Sequence, residues 1–171
     1  MTQRAILLCC IVLIGVRGAS AAQDEKKEVT PADVRKAIAA FQKDSSGKEG
    51  KAAAGVILLF AIQSKDVVVI VGKEESAWLG LEKDKNDENT SRLMAAYVAG
   101  SVLAQLDAKK PAHDMYAGLR QVFQTYQQVQ KEDQTFKRPE LDKLQAMDKE
   151  GKLKAHVAEI QEKRGDRKLD K

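Results

Sequence analysis

The apolar residues of segment 115–129 constrain the fold of this chain more than any other feature. Met115, Leu119, Val122, Tyr126 and Val129 follow one another in steps of four, three, four and three residues. Because an α-helix turns once in about 3.6 residues, these side chains fall on one stripe and form a seam suited to packing against another helix. The sequence therefore predicts a long amphipathic helix with at least one helical neighbour.

Two more helices are predicted between residues 30 and 62. Thr30 followed by Pro31 is typical of an N-cap and a first helical position, and the run Asp44–Gly47 is expected to end this helix. The sequence Ser46-Gly47-Lys48-Glu49 then has a capping-box pattern that begins the next helix. The run Ala52–Ile62 is apolar nearly all round, which predicts a central helix packed on several sides.

Segment 66–72 is ambiguous. Its sequence, DVVVIVG, favours a strand, but the sequence offers no second strand of similar quality, and a lone strand is unstable. A short strand, a buried extended segment and a short helix therefore stay open. The segment leads to Trp78, which we expect to fill the core beside Leu79 and Leu81, and then to a charged loop over residues 82–88.

The second half of the chain reads as four helices. Asn89 or Thr90 is predicted to cap the first, Asp114 caps the seam helix, and Pro139 opens a short helix that closes at Gly151. The stripe of the first comprises Leu93, Ala96, Tyr97, Gly100, Leu103, Ala104 and Leu106, and that of the last comprises Leu153, Val157 and Ile160. Glutamines are expected at the outer positions of the seam helix, namely Gln121, Gln124, Gln127, Gln128 and Gln130. The fold class is therefore all-α, with about five to six helices in antiparallel hairpins within one domain.

Residues 1–21 have the pattern of a cleaved secretory signal peptide. Arg4 precedes the apolar run Ala5–Val16, and Ala19-Ser20-Ala21 supplies the small residues that signal peptidase needs. Twelve apolar residues span about 18 Å as a helix, which is short of a bilayer core of about 30 Å. We therefore expect export to the periplasm or the outside of the cell, with no transmembrane anchor after cleavage. A polar leader (22–29), a helical domain (30–162) and a charged tail (163–171) follow.

Removal of this signal changes the chemistry available to the chain. Cys9 and Cys10 are the only cysteines, so the mature chain has no disulfide, thiol nucleophile or thiolate ligand. Arg4 and Arg17 also leave, which lowers the net charge from +4 to +2, with 27 basic against 25 acidic side chains. Acidic residues are interleaved with the basic ones throughout, and this pattern argues against a nucleic-acid partner.

The sequence predicts no catalytic, cofactor-binding or metal-ligating residue. His113 and His156 are the only histidines, they lie 43 positions apart, and neither is in a zinc-binding motif. Ser101 lies on or beside an apolar stripe and not in a nucleophile elbow. Residues 84–88 carry acids without the central glycine of a calcium loop.

A non-catalytic binding or structural role, with a protein partner, is therefore the leading functional prediction. One alternative is a small envelope enzyme whose site is built from dispersed carboxylates. The other is weak contact with an anionic envelope surface through the basic tail, whose candidate residues are Lys163, Arg164, Arg167, Lys168 and Lys171.

Overall fold

The computed structural model describes residues 28–73, 75–79 and 88–165. These residues form six α-helices and one short 3₁₀ helix and contain no strand, which confirms the all-α prediction. The α-helices are α1 (Pro31–Lys43), α2 (Lys48–Gln63), α3 (Glu88–Ala108), α4 (Met115–Glu132), α5 (Pro139–Lys149) and α6 (Leu153–Gly165), and the 3₁₀ helix covers Ala77–Leu79. The predicted signal peptide, most of the leader and loop, and the tail beyond Gly165 lie outside the described residues.

The first hairpin, α1–α2, has the predicted N-cap on α1, but the turn between its helices is held by other hydrogen bonds than predicted. Thr30 is the N-cap of α1 and forms a reciprocal capping box with Asp33. The capping box predicted for α2 is wrong, because its N-cap is Gly47, which has no side chain to accept a bond. Instead, Asp44 Oδ1 accepts the backbone N–H groups of Ser46 and Gly47, and these bonds lower the pKa of Asp44.

The central helix is α3 and not α2, so the prediction for the run Ala52–Ile62 is wrong. Helix α3 contacts α1, α2, α4 and the 3₁₀ helix. Small residues along α3 let these neighbours approach from several directions, and the buried ones are Ala95, Ala96, Ala99, Gly100 and Ser101. Helix α2 buries only one face, through Gly50, Ala53, Ile57 and Phe60.

The predicted seam of α4 is confirmed, because all five of its residues are buried against the rest of the core. Asp114 caps α4 by accepting the Ala117 N–H at 2.9 Å, also as predicted. The α3–α4 pair is unusually close where Gly100 faces the backbone of Ala117 and Gly118 faces the Tyr97 ring. Gly100, in the second half of α3, meets the start of α4, whereas Arg92 near the start of α3 pairs with Glu132 at the end of α4, so the hairpin is antiparallel.

Glutamines and a buried arginine form a polar junction between α4 and the α1–α2 turn. Gln121, predicted at an outer position, is buried and accepts a 2.6 Å bond from Gln42 of α1. Gln128 bonds Ser45, while Gln124 and Gln127 are exposed as predicted. Arg92, whose side chain is only 6% exposed, donates to Ser45 Oγ and to both carboxylate oxygens of Glu132, at 2.7 and 3.1 Å.

Helix α5 is held on α4 by polar contacts around Tyr126 and Asp148. The Tyr126 hydroxyl accepts the Arg138 N–H at 2.8 Å, just before Pro139 opens α5. Asp148 pairs with Arg120 at 2.6 Å. The short turn into α6 uses Gly151, whose φ of 73° is one that L side chains rarely adopt. Helix α6 then continues through Gly165, into the segment predicted as the charged tail.

Segment 66–72 is neither a helix nor part of a sheet: Asp66 lies in a bend, and residues 67–72 have no regular secondary structure. Its side chains alternate only loosely between inside and outside: Val67 is buried, while Val68 and Val71 are 44% and 41% exposed. Beyond it, Trp78 is buried as predicted, and its indole N–H donates to the carbonyl of Glu75 at 2.6 Å.

Candidate functional site

Side chains, and not a second strand, satisfy the backbone of segment 66–72. The Gln105 amide of α3 accepts the Val68 N–H at 2.8 Å and donates to the Val68 carbonyl at 3.0 Å. Two residues later, the Ile70 N–H donates to His113 Nδ1 at 3.2 Å. The segment is thus attached at residue 68 to α3 and at residue 70 to the connection that follows α3.

His113, Tyr97 and the backbone of Ile70 close a ring of hydrogen bonds. A backbone N–H can only donate, so His113 Nδ1 is an acceptor and the neutral imidazole carries its proton on Nε2. That proton is directed to the Tyr97 hydroxyl oxygen, which lies 3.1 Å from Nε2. The Tyr97 hydroxyl in turn donates to the Ile70 carbonyl at 3.4 Å. Both ring nitrogens of His113 are therefore engaged inside the protein.

The electrostatic surroundings favour the neutral form of each member of this ring. Burial lowers the pKa of His113 below its ordinary value, and the positive charge of Arg164 acts in the same direction, while Glu75 and Asp114 oppose it. Burial also raises the pKa of Tyr97, and the negative charge of Glu75 adds to that effect. The ring is thus a network of neutral groups whose hydrogen bonds lie inside the protein.

Glu75 is the most deeply buried acidic side chain in this region, at 2% exposure. Its carboxylate accepts a bond from Arg164 of α6 at 3.3 Å, so the ion pair joins the segment before the 3₁₀ helix to the last helix. Arg164 was predicted as a surface contact, whereas the structure places its guanidinium against this buried acid. Lys163 is exposed on α6, and Arg167, Lys168 and Lys171 lie outside the described residues.

A half-open groove of about 470 Å³ lies beside this network, between the end of α3, the 110–114 connection, the start of α4 and α6. His113 reaches its wall but has both nitrogens bonded, and Asp114 caps α4. Lys154 lies over the Tyr116 ring, with Nζ 5.1 Å from the ring centre. His113 and Asp114 thus already have structural partners, and the groove does not bring together a nucleophile, a base and an orienting group.

The described residues also contain no metal site, no exposed serine nucleophile at Ser101 and no membrane-spanning helix. Within them, no group of three or more His, Asp or Glu side chains is arranged to hold a metal ion. Ser101 is fully buried, and its hydroxyl accepts from Gln105 at 3.2 Å, so it is not exposed to a substrate. No helix of the described part is both long and apolar enough to cross a membrane.

The outer face of α2 is the surface that the rest of the described fold leaves without a neighbour. Ala52, Gly55, Leu59 and Ile62 lie on one stripe, in steps of three, four and three residues. All four are exposed, Ile62 at 81% and Leu59 at 41%. A side chain added at Gly55 would meet nothing within 4 Å. This stripe is opposite the buried face of α2. The apolar run Ala52–Ile62, which was expected to be buried on several sides, is therefore exposed along one face.

Comparison with known proteins does not assign the chain to a family. No family model matches the sequence, and neither a curated protein nor a solved structure is significantly similar to it.

The lowered pKa of His113 predicts how the stability of the fold depends on pH. The folded protein resists protonation of His113, whereas the unfolded chain takes up that proton as the pH falls through about 6.5. The unfolded state then binds more protons, so stability is expected to fall as the pH is lowered from 7.5 to 5 and to level off below the folded pKa.

Thermal melting of the wild-type protein and of a His113→Gln variant across this pH range measures the effect. The variant is expected to have a smaller loss of melting temperature on acidification, because its side chain does not titrate. His156→Gln is the matched control and should keep the wild-type slope. Equal slopes for all three proteins would contradict this interpretation.

Proposed function

We propose that this chain is an exported α-helical protein that acts by binding another protein through the outer face of α2. The observation that carries the proposal is the exposed apolar stripe of Ala52, Gly55, Leu59 and Ile62. A helix that is apolar nearly all round is ordinarily buried on all sides, because each large apolar side chain left in water forgoes about 1.5–3 kcal/mol of transfer free energy. Isolated exposed leucines are common, whereas a contiguous exposed apolar patch marks an interaction site, and these four residues follow one another along one face of α2.

The export element of the proposal is supported by the sequence of residues 1–21, with its apolar run and its Ala19-Ser20-Ala21 site. The absence of cysteine after Cys10 means that the helical domain depends on its core alone. That core is continuous through the helices and the 3₁₀ helix, which fits a chain that folds without disulfide staples after export.

The two alternative functions have less support. An enzyme built on dispersed carboxylates would need free acids converging in one cavity, whereas Glu75 is paired with Arg164 and Asp114 caps α4. Contact with an anionic surface would need free cations on α6. Arg164 is directed to Glu75, which leaves Lys163 as the exposed candidate among the described residues.

Site-specific photo-crosslinking in the native host tests the proposal. A benzophenone side chain at Ile62 is expected to yield a discrete adduct with a protein. The same group at exposed Lys143 of α5 should yield none, and it serves as the matched control. Mass spectrometry of the adduct also reads the N-terminus of the chain, which should begin at Ala22. The absence of an adduct at residue 62 would refute binding through α2, and retention of residues 1–21 would refute cleavage.

A further inference from the structure

We propose that protonation of His113 releases residues 69–71 from the body of the protein, so that this short stretch, the flap, opens in mild acid while the helices stay folded. The flap is the part of segment 66–72 that carries Ile70, the residue bonded to both His113 and Tyr97. This inference concerns a different surface from the outer face of α2 and does not depend on the proposed function.

The flap lies between two fixed points. Before it, the Gln105 amide bonds both the N–H and the carbonyl of Val68. After it, the Gly72 carbonyl accepts from the N–H of Ser76 at 3.0 Å and from its hydroxyl at 2.6 Å. Amides and hydroxyls do not change their charge near neutral pH. Both ends of the flap therefore stay attached when His113 takes up a proton.

The flap itself depends on His113 and has few other contacts. The Ile70 N–H donates to His113 Nδ1 at 3.2 Å, and the Ile70 carbonyl accepts only the long bond from the Tyr97 hydroxyl, at 3.4 Å. Val69 and Ile70 are half-buried and Val71 is exposed, so no side chain of the flap is fully buried. A segment with little buried apolar surface opens at a lower cost in free energy than the core does.

A proton on His113 reverses the role of Nδ1. The neutral ring accepts a bond at this atom, whereas an imidazolium donates from both of its nitrogens. Nδ1–H would then face the Ile70 N–H, and two donors cannot bond each other. A backbone bond with Val68 favours the protonated ring, and the carbonyl of Val68 is the group able to accept it. Protonation thus frees residue 70 while residue 68 stays attached.

The surroundings of His113 favour release of the flap over a buried imidazolium. Within the described residues, the ionisable side chains around it are Tyr97 of α3, Glu75, Asp114, Arg164 of α6 and, along the groove, Lys110 and Lys154. Burial and the charge of Arg164 lower the pKa of His113, and the charges of Glu75 and Asp114 oppose them without reversing the direction. The imidazolium is therefore more stable once the flap has opened and water reaches the ring.

The expected size of the effect follows from this difference between the closed and open forms. In the open form, His113 returns to an ordinary pKa of about 6.5. The ratio of open to closed molecules should therefore rise by up to about thirtyfold as the pH falls from about 7.5 to 5.

Hydrogen exchange of single backbone amides, measured by NMR on the protein purified from its native host, tests the flap directly. The protection factor of the Ile70 amide is expected to fall by up to about thirtyfold from about pH 7.5 to 5. Its exchange should be insensitive to low concentrations of urea, because opening of three residues exposes little surface. Protection of Ile70 that does not change with pH, or that is lost only through urea-dependent unfolding, would overturn the proposal.

Fluorescence of Trp78 gives a second measurement. This residue is the only tryptophan of the chain, and its ring centre lies 5.8 Å from that of Tyr97, which in turn lies 6.0 Å from that of His113. Acidification is expected to shift the emission to longer wavelength, with a midpoint below about pH 6.5 and without loss of helix content in circular dichroism. A shift that occurs only together with loss of helix content would contradict local opening.

Substitution of the two histidines assigns the transition to one of them. His113→Gln should abolish the pH dependence of both measurements, because glutamine does not titrate, whether or not its amide can accept the Ile70 N–H. His156→Gln is the matched control and should keep the wild-type transition. A transition that persists in His113→Gln would refute His113 as its cause. If His113→Gln does not fold, exchange of Ile70 in the wild-type protein still decides whether the flap opens.

Discussion

Replacement of Gly100 by alanine is expected to destabilise the protein by about 2–3 kcal/mol, although alanine is the better helix former. An added Cβ at this position would meet the carbonyl oxygen of Ala117 and lie 2.8 Å from the Cβ of Gln121. Neither atom is the end of a flexible side chain, so α3 and α4 would have to move apart. Because α3 is the central helix, that movement disturbs the core along its length.

Gly55→Ala is the matched control, because this glycine is also inside a helix but faces open space. There the gain in helix propensity is expected to raise stability by about 0.5–1 kcal/mol. Urea unfolding of both variants measures the two changes. Destabilisation by Gly55→Ala, or no effect of Gly100→Ala, would contradict the packing described for these helices.

Loss of the Glu132 carboxylate is expected to cost more than loss of its partner, Arg92. In Glu132→Gln, a guanidinium that is only 6% exposed keeps its charge without its anion, and we expect a loss of about 2–3 kcal/mol. In Arg92→Met, the remaining carboxylate is 45% exposed and can be hydrated, so the expected loss is nearer about 1 kcal/mol. The double variant should be no less stable than Arg92→Met alone.

The exposed pair Arg35–Asp107 is the control for this asymmetry. Its side chains are 42% and 60% exposed, so Asp107→Asn should change stability by less than about 1 kcal/mol. Chemical unfolding of the two single variants and the double variant gives a double-mutant cycle for the buried pair. Equal costs for Glu132→Gln and Asp107→Asn would show that the burial of Arg92 contributes nothing.

Periodicity and capping residues were enough to predict most of the helices. The seam of α4, the caps Thr30 and Asp114, and the short helix from Pro139 to the turn at Gly151 all occur as expected. These features depend on residues close in sequence, which either present an apolar face or satisfy a helix end. One such prediction shifted: α3 begins at Glu88, so Asn89 lies inside its first turn and accepts a bond from Arg92.

The choice of central helix could not be predicted in this way. Hydrophobicity favoured α2, whose run Ala52–Ile62 contains no charge, over α3, which is interrupted by Arg92, Gln105 and Asp107. Burial is decided by which neighbours can approach: α3 packs against three α-helices and the 3₁₀ helix, whereas α2 buries one face against α1 and α3. The polar residues of α3 are buried because specific partners satisfy them, and those partners come from distant parts of the chain.

Sequence patterns could not predict which residues form the His113 network either. Tyr97 was expected on an apolar stripe and His113 in a connection, but nothing indicated that Ile70 would join them. Glu75 lies in a charged stretch, and its burial depends on Arg164, which is 89 positions away. Such contacts join residues far apart in sequence and produce no periodic pattern from which they could be predicted.

The way in which Gln105 holds segment 66–72 has a consequence for how the sequence can vary over time. Within segment 66–72 the amide bonds the N–H and the carbonyl of Val68 and not its side chain, so it does not discriminate among side chains at that position. Proline is the exception, because it has no N–H to donate. Selection on this attachment should therefore act on Gln105 itself, while residue 68 is free to drift among ordinary amino acids. We therefore expect Gln105, on the helix, to be conserved and Val68, on the segment that it holds, to vary.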